Sequence, residues 1–221
     1  MENKYYLLIA AAGEGKRFGK DKLSLKIKGK TILEWSISNF KNIKFQKKVL
    51  ILKKEKLKDE KIKKIFKDFL IVEGGEKRAI SVYNGFKAIA PEKNSYVIIH
   101  DGARPYVPKV LIKNLIKEVK NEKGIIPVLR LKDTIKKIEN SYIKSTVDRK
   151  GLFLVQTPYI FKASTLIDAY KQKKEMWENL TDESQLLELL KIPVKAIEGS
   201  PLNIKITYRE DIEIIKKILS S

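Results

Sequence analysis

The sequence predicts an α/β fold: a largely parallel sheet flanked by helices, with a β-hairpin inserted late in the chain. Short apolar runs such as Tyr5–Ile9 and Tyr96–Ile99 recur, and amphipathic stretches such as Glu76–Ala90 separate them. The rhythm breaks at Lys132, after which Asp133–Glu139 and Tyr142–Asp148 each alternate about an Asn140-Ser141 turn.

Tyr5–Ile9 is apolar throughout, as a strand buried on both faces must be. Leu23–Ile27 reads as a short extended piece ending at Gly29. Thr31 and Glu34 have capping-box spacing and open a helix to about Phe40. Lys48–Leu52 is the second strand and Glu55–Asp68 the second helix. In that helix Ile62, Phe66 and Phe69 repeat at helical spacing, and Asp59 and Glu60 stand four residues before Lys63 and Lys64. Phe69–Val72 is a third strand, stopped by Gly74-Gly75. Glu76–Ala90 turns Ala79, Val82, Tyr83, Phe86 and Ala90 to one face and meets Pro91. Tyr96–Ile99 is the fourth strand, and Pro108 opens a helix that Gly124 closes. Ile125–Leu129 is the fifth strand. The hairpin follows, its outward faces polar and without a packing partner in its own domain. Then come Phe153–Val155, a helix from about Lys162, Thr181 as an N-cap candidate, strands at Val194–Ile197 and Asn203–Thr207, and a closing helix at Arg209–Leu219.

A chain of 221 residues suits one domain with a full core. No apolar run is long enough to span a membrane, and Met1–Lys4 does not lead a signal peptide. Without cysteine there are no disulfides, thiolate metal sites or cysteine nucleophiles, and a cytoplasmic setting is expected. The net charge of +20 invites a basic nucleic-acid-binding domain as the reading from a different class. Against it, the lysines are spread along the chain, with no aromatic-rich basic strand and no zinc-finger spacing, so no nucleic-acid partner is expected. Small anionic substrates suit such a field. Only six residues are arginine, and Arg17, Arg78, Arg104 and Arg149 each fall beside glycine, proline or an acid, where a planar fork is useful.

The stretch Tyr5–Lys22 carries the first chemistry. Ala10, Ala11 and Ala12 leave room against the backbone, and Gly13 and Gly15 let the chain turn and present N–H groups. Lys16, Arg17 and Lys22 add cations, so the loop suits a nucleoside triphosphate, although glycines after a strand also make plain turns. Gly13, Gly15 and Gly19 miss the dinucleotide fingerprint by one residue, and Lys53 and Lys54 stand where its acidic residue belongs. Two more loops follow strands and converge on the same edge: Gly74–Ser81, with Arg78, and Asp101–Arg104. Asp101 offers a carboxylate to a metal or a sugar hydroxyl, or else bonds loop amides; His100, the single histidine, is read as structural.

The motifs A-A-A-G-x-G-x-R, G-G-E-K-R-A-I-S-V-Y-N-G, H-D-G-A-R-P, D-T-I-K-K, T-V-D-R, Q-T-P, T-D-E-S and N-I-K-I-T occur in this order. Together they resemble the 2-C-methyl-D-erythritol 4-phosphate cytidylyltransferases of non-mevalonate isoprenoid synthesis, over nearly the whole chain. The resemblance implies a Rossmann-like nucleotidyltransferase domain over 1–221, with an arm at about 132–150 that reaches a second subunit. It implies a triphosphate loop of Ala11, Ala12, Gly13, Gly15, Arg17 and Lys22, and a cytidine stretch of Gly74, Gly75, Glu76, Arg78 and Ser81, with Gly102 beside the nucleotide. It places Asp101 and Arg104 on the substrate side, and Thr134, Arg149, Thr157, Thr181 and Lys205 around the methylerythritol phosphate. One departure is Asp21, where the family usually has proline.

By that resemblance the substrate phosphate attacks the α-phosphorus of CTP and pyrophosphate leaves, with no protein nucleophile. Arg17 and Lys22 serve the triphosphate; Arg149 and Lys205 orient the attacking phosphate. Magnesium bridges triphosphate oxygens, with Asp101 the candidate protein contact. CTP, a sugar-alcohol phosphate and a second copy of the chain are the expected partners. The neighbouring alternative is a ribitol 5-phosphate cytidylyltransferase, which shares the glycine loops.

Overall fold

The structure, a computed structural model, describes residues 3–13, 15, 17–19, 21–172 and 180–220. Lys16 lies outside the described residues. The main sheet runs β10 (Phe153–Val155), β7 (Gly124–Arg130), β11 (Tyr159–Lys162), β6 (Ser95–Asp101), β1 (Lys4–Ala10), β4 (Phe45–Leu52), β5 (Leu70–Glu73). A further strand, β12 (Lys195–Glu198), pairs with β7. The stretch from β6 through β1 and β4 to β5 is parallel, whereas β10 and β11 run antiparallel.

The central strands bury both faces because successive side chains point to opposite sides. Leu7, Ile9, Leu50 and Ile98 feed one core; Tyr6, Leu8, Val49 and Ile99 feed the other. Each such buried aliphatic side chain contributes about 1.5–3 kcal/mol over leaving it in water. Helices α1 (Ile32–Ser38), α4 (Lys109–Glu118) and α7 (Asp211–Ile218) cover the first face. Helices α3 (Arg78–Ile89), α5 (Ala163–Gln172) and α6 (Glu183–Leu189) cover the second. The capping box is present: the Glu34 amide donates to Thr31 Oγ1 at 3.1 Å, and the Thr31 amide donates to Glu34 Oε2 at 2.7 Å.

Several elements differ from expectation. Only Glu60–Ile65 of the second helix is α-helical (α2); Asp59 caps it by accepting from the amides of Lys61 and Ile62. Residues Lys26–Ile27 (β2) pair with Lys30–Thr31 (β3) about a Lys28-Gly29 turn in which both residues have positive φ. Gly124 opens β7 instead of closing α4, which ends at Glu118; a side chain at Gly124 would strike Phe161. Strand β11 was not anticipated; it inserts between β6 and β7. Asn203–Thr207 is not a strand: the Asn203 amide donates to Ser200 O at 3.0 Å, Ile206 to Ala103 O at 2.9 Å and Thr207 to the Asp211 carboxylate at 2.6 Å. The hairpin β8 (Ile135–Glu139) and β9 (Tyr142–Val147) forms a separate two-stranded sheet about Asn140-Ser141. Both turn residues have positive φ, as a two-residue hairpin turn requires.

Candidate active site

Three loops meet at the carboxyl edge of the parallel strands. The amide of Ala11 donates to Ile51 O at 2.9 Å, Gly74 to Leu52 O at 2.8 Å and Gly102 to Ala10 O at 2.9 Å. The ladder thus continues one residue past β1, β5 and β6 and fixes the loops side by side. They enclose a cavity of about 690 Å³. Ala11, Ala12, Gly13, Gly15, Arg17, Lys22, Gly74, Gly75, Glu76, Arg78, Ser81, Asp101 and Lys205 all line it. Open sheets of this kind bind ligands at that edge.

Two positions show why the loops have these residues. A Cβ at Gly74 would lie 2.3 Å from the Ala12 Cβ, so glycine there lets the first two loops touch. Ser81 Oγ accepts from the Gly75 amide at 3.0 Å and reaches Gly75 O at 3.2 Å, tying the second loop to the first turns of α3. In the first loop Phe18 donates back to Gly15 O at 2.8 Å, and Gly15 sits at φ +67°. Arg17 is exposed, its guanidinium 5.9 Å from the centre of the Tyr208 ring.

The charges are concentrated at Asp101, the last residue of β6. Lys205 Nζ lies 2.8 Å from its Oδ2, Arg78 Nε 3.3 Å from its Oδ1 and Arg104 Nε 3.9 Å from its Oδ2. Burial alone would push this carboxyl up; Arg78, Lys205 and Arg104 outweigh it and hold it far below the usual range. The carboxylate is therefore held by cations, not by loop amides. Lys22 donates to Ile206 O at 2.6 Å. Burial, with Lys205 and Arg17 nearby, pushes its ammonium down from the usual lysine value. Such a group gains from an arriving polyanion.

Behind the cavity a hydrogen-bonded chain sets the Asp101 backbone. Its amide donates to Thr157 Oγ1, the Thr157 hydroxyl donates to His100 Nδ1, and His100 Nε2 donates to Arg104 O, each at 3.1 Å. A carbonyl only accepts, so Nε2 carries a proton; burial disfavours a second one, which leaves Nδ1 to accept from Thr157. Burial pushes the His100 pKa down to about 4. His100 is structural, as expected.

Six expected site residues do not line the cavity. Thr157 is 1% exposed and its hydroxyl is spent on Asp101 and His100, so it braces the site from behind. Gly102 is buried against Leu33 and Ala11. Arg104 is buried and donates to Asn203 O at 2.7 Å. Thr181 is exposed, with its hydroxyl on Gln185; the cap of α6 is Asp182, which accepts from the amides of Ser184 and Gln185. Thr134 and Arg149 are exposed at the base of the hairpin, where Arg149 donates to Lys132 O.

Two further residues went unassigned in the sequence. Glu183 is buried, and Arg78 Nη1 donates to both its carboxylate oxygens, at 2.9 and 3.1 Å. Asn203 is buried; it donates to Thr157 O at 2.8 Å and anchors the segment that presents Lys205. The signal for Glu183 stood in T-D-E-S, and that for Asn203 in N-I-K-I-T. Among the described residues no three His, Asp or Glu side chains gather to hold a metal.

The family model for 2-C-methyl-D-erythritol 4-phosphate cytidylyltransferase matches residues 5–221. A Dictyoglomus thermophilum protein of that name is 42% identical over 96% of this chain and 95% of its own. One from Endomicrobium trichonymphae is 38% identical over 97% and 98%. A crystal structure of 4-diphosphocytidyl-2C-methyl-D-erythritol synthase superposes with a TM-score of 0.85, at 29% identity and 99% coverage of both chains. The Francisella tularensis cytidylyltransferase gives 0.83, at 29% identity over 97% and 99%.

Proposed function

The chain belongs to the 2-C-methyl-D-erythritol 4-phosphate cytidylyltransferase family, and on that premise we propose how its cavity works. The protein transfers the cytidylyl group of CTP to 2-C-methyl-D-erythritol 4-phosphate. The products are 4-diphosphocytidyl-2-C-methyl-D-erythritol, used in isoprenoid precursor synthesis, and pyrophosphate. The observation that carries the mechanism is the meeting of Lys22 and Lys205 beside Asp101 in one glycine-walled cavity.

The substrate phosphate is already an anion, so no base is needed. One of its oxygens forms a bond to the α-phosphorus of CTP. The bond from that phosphorus to the β-bridging oxygen breaks, and its electron pair leaves with pyrophosphate. Ala11, Ala12, Gly13 and Gly15 offer a close backbone surface to the triphosphate. Arg17 and Lys22 neutralise the charge that grows on the leaving group. Gly74, Gly75, Glu76 and Ser81 shape the nucleoside end, and Lys205 orients the attacking phosphate. Magnesium, when bound, would screen the triphosphate charge, with Asp101 as its protein contact.

We assign Arg149 and Thr134 to the site of a second copy, in a homodimer. The support is that the hairpin leaves Ile138, Tyr142 and Ile143 between 62 and 80% exposed, and its basal residues lie away from their own cavity. Phe153 and Leu154 are exposed as well. No described helix is long and apolar enough to cross a membrane.

The test is pyrophosphate release with each nucleoside triphosphate against a panel of sugar phosphates. CTP with 2-C-methyl-D-erythritol 4-phosphate should be the preferred pair. Equal use of ribitol 5-phosphate would overturn the substrate assignment, and no release with either would overturn the activity.

A further inference from the structure

Glu183 is buried at a position where its helix does not need it. It is the first residue of α6, and Asp182 already caps that helix end by accepting from the amides of Ser184 and Gln185. A second carboxylate, taken out of water, is costly unless a cation meets it. Burial pushes the Glu183 carboxyl up, and Arg78 opposes that. Arg78 has the mirror problem. It opens α3, where the helix dipole disfavours a cation and no acidic residue occupies the first turn. Its guanidinium spans the gap: Nη1 on Glu183 at 2.9 Å, Nε on Asp101 at 3.3 Å. The same plane lies 5.8 Å from the Tyr159 ring centre.

We propose that Glu183 is a positioning residue for the transfer reaction, fixing the Arg78 fork so that Asp101 keeps one oxygen for Arg78 and the other for Lys205. Arg78 has one good partner, Glu183, and one long contact, Asp101. Without the Glu183 charge its fork turns fully onto Asp101, the better remaining anion. Lys205 then loses the partner that holds its ammonium at the cavity wall. Glu183 touches no substrate and does not line the cavity; it acts through Arg78. The inference rests on the cytidylyl-transfer reading above.

The experiment measures kcat and KM for both substrates at a temperature where every variant is folded. It uses Glu183→Gln, which keeps the shape and removes the charge, Glu183→Asp, Arg78→Gln and the double variant Glu183→Gln/Arg78→Gln. Asp182→Ala serves as a control that weakens the α6 cap without touching Arg78. Glu183→Gln should lower kcat by about tenfold or more, Asp182→Ala by less than about twofold, and the double variant should be no slower than Arg78→Gln alone, as for residues acting as a unit. Glu183→Asp should recover part of the loss. A normal kcat in Glu183→Gln, or losses that multiply in the double variant, would overturn the proposal while leaving the activity standing. No pyrophosphate release by the unmodified protein would overturn both.

Discussion

Lys205 Nζ lies 2.8 Å from Asp101 Oδ2, joining an irregular segment late in the chain to the end of a central strand. Asp101 is the shared anion of Lys205, Arg78 and Arg104, and its removal leaves those charges facing one another. Asp101→Asn should therefore destabilise the fold by about 3 kcal/mol, the usual scale for breaking a buried ion pair. Urea unfolding measures it. A change under about 1 kcal/mol would mean that the cations relax into solvent.

Lys22 has a carbonyl, not a carboxylate, as its partner. Lys22→Ala should lower turnover by about two to three powers of ten, as losing a preorganised charge donor does, with little loss of stability. Pyrophosphate release by the folded variant tests this. Near-normal turnover would move the role to Arg17 or to another cation of the loop.

Arg149 lies outside the cavity of its own chain. Mixing Arg149→Ala subunits with Lys22→Ala subunits should restore activity, because a mixed dimer contains one site with both residues intact. Sedimentation as a monomer, or verified heterodimers without activity, would contradict the shared site.

His100 gives a pH signature. Its folded pKa of about 4 lies below the ordinary 6.5 because burial disfavours the charged ring. A depressed value contributes stability that is complete above 6.5 and lost as pH falls. From 6.5 down to about 4 the unfolded chain takes up the proton first, removing roughly 3 kcal/mol in total at about 1.4 kcal/mol per pH unit. His100→Gln should flatten that part of the stability curve in urea titrations. An unchanged slope would assign the acid sensitivity to other groups.

Local chemistry was legible wherever the deciding interactions are close in sequence. Thr31 and Glu34 cap one helix, and Asn140-Ser141 turns one hairpin, through bonds within a few residues. Strand β11 was hidden because Tyr159–Phe161 is a short apolar run whose fate depends on β6 and β7 opening to admit it. Ile204 and Ile206 alternate like a strand, yet the segment finds no ladder and is held by Asn203 and Gln156 side chains. The same limit explains Thr157 and Thr181. A threonine in a motif is visible, but whether its hydroxyl faces a ligand or a neighbouring histidine is decided by tertiary packing. Glu183 shows the converse, since only its distant partner Arg78 gives the residue a purpose.

The late position of the segment around Lys205 has a consequence for how the protein is made. A chain leaving the ribosome presents Ala11, Gly74 and Asp101 in turn, and β1, β4, β5 and β6 can pair once the last of these has emerged. Arg78 and Arg104 are then available to Asp101, but Lys205 and the Asn203 anchor are still to be synthesised. The sheet can therefore assemble well before the cavity wall is complete. Nascent chains halted before Lys205 should resist protease in the central strands while releasing no pyrophosphate.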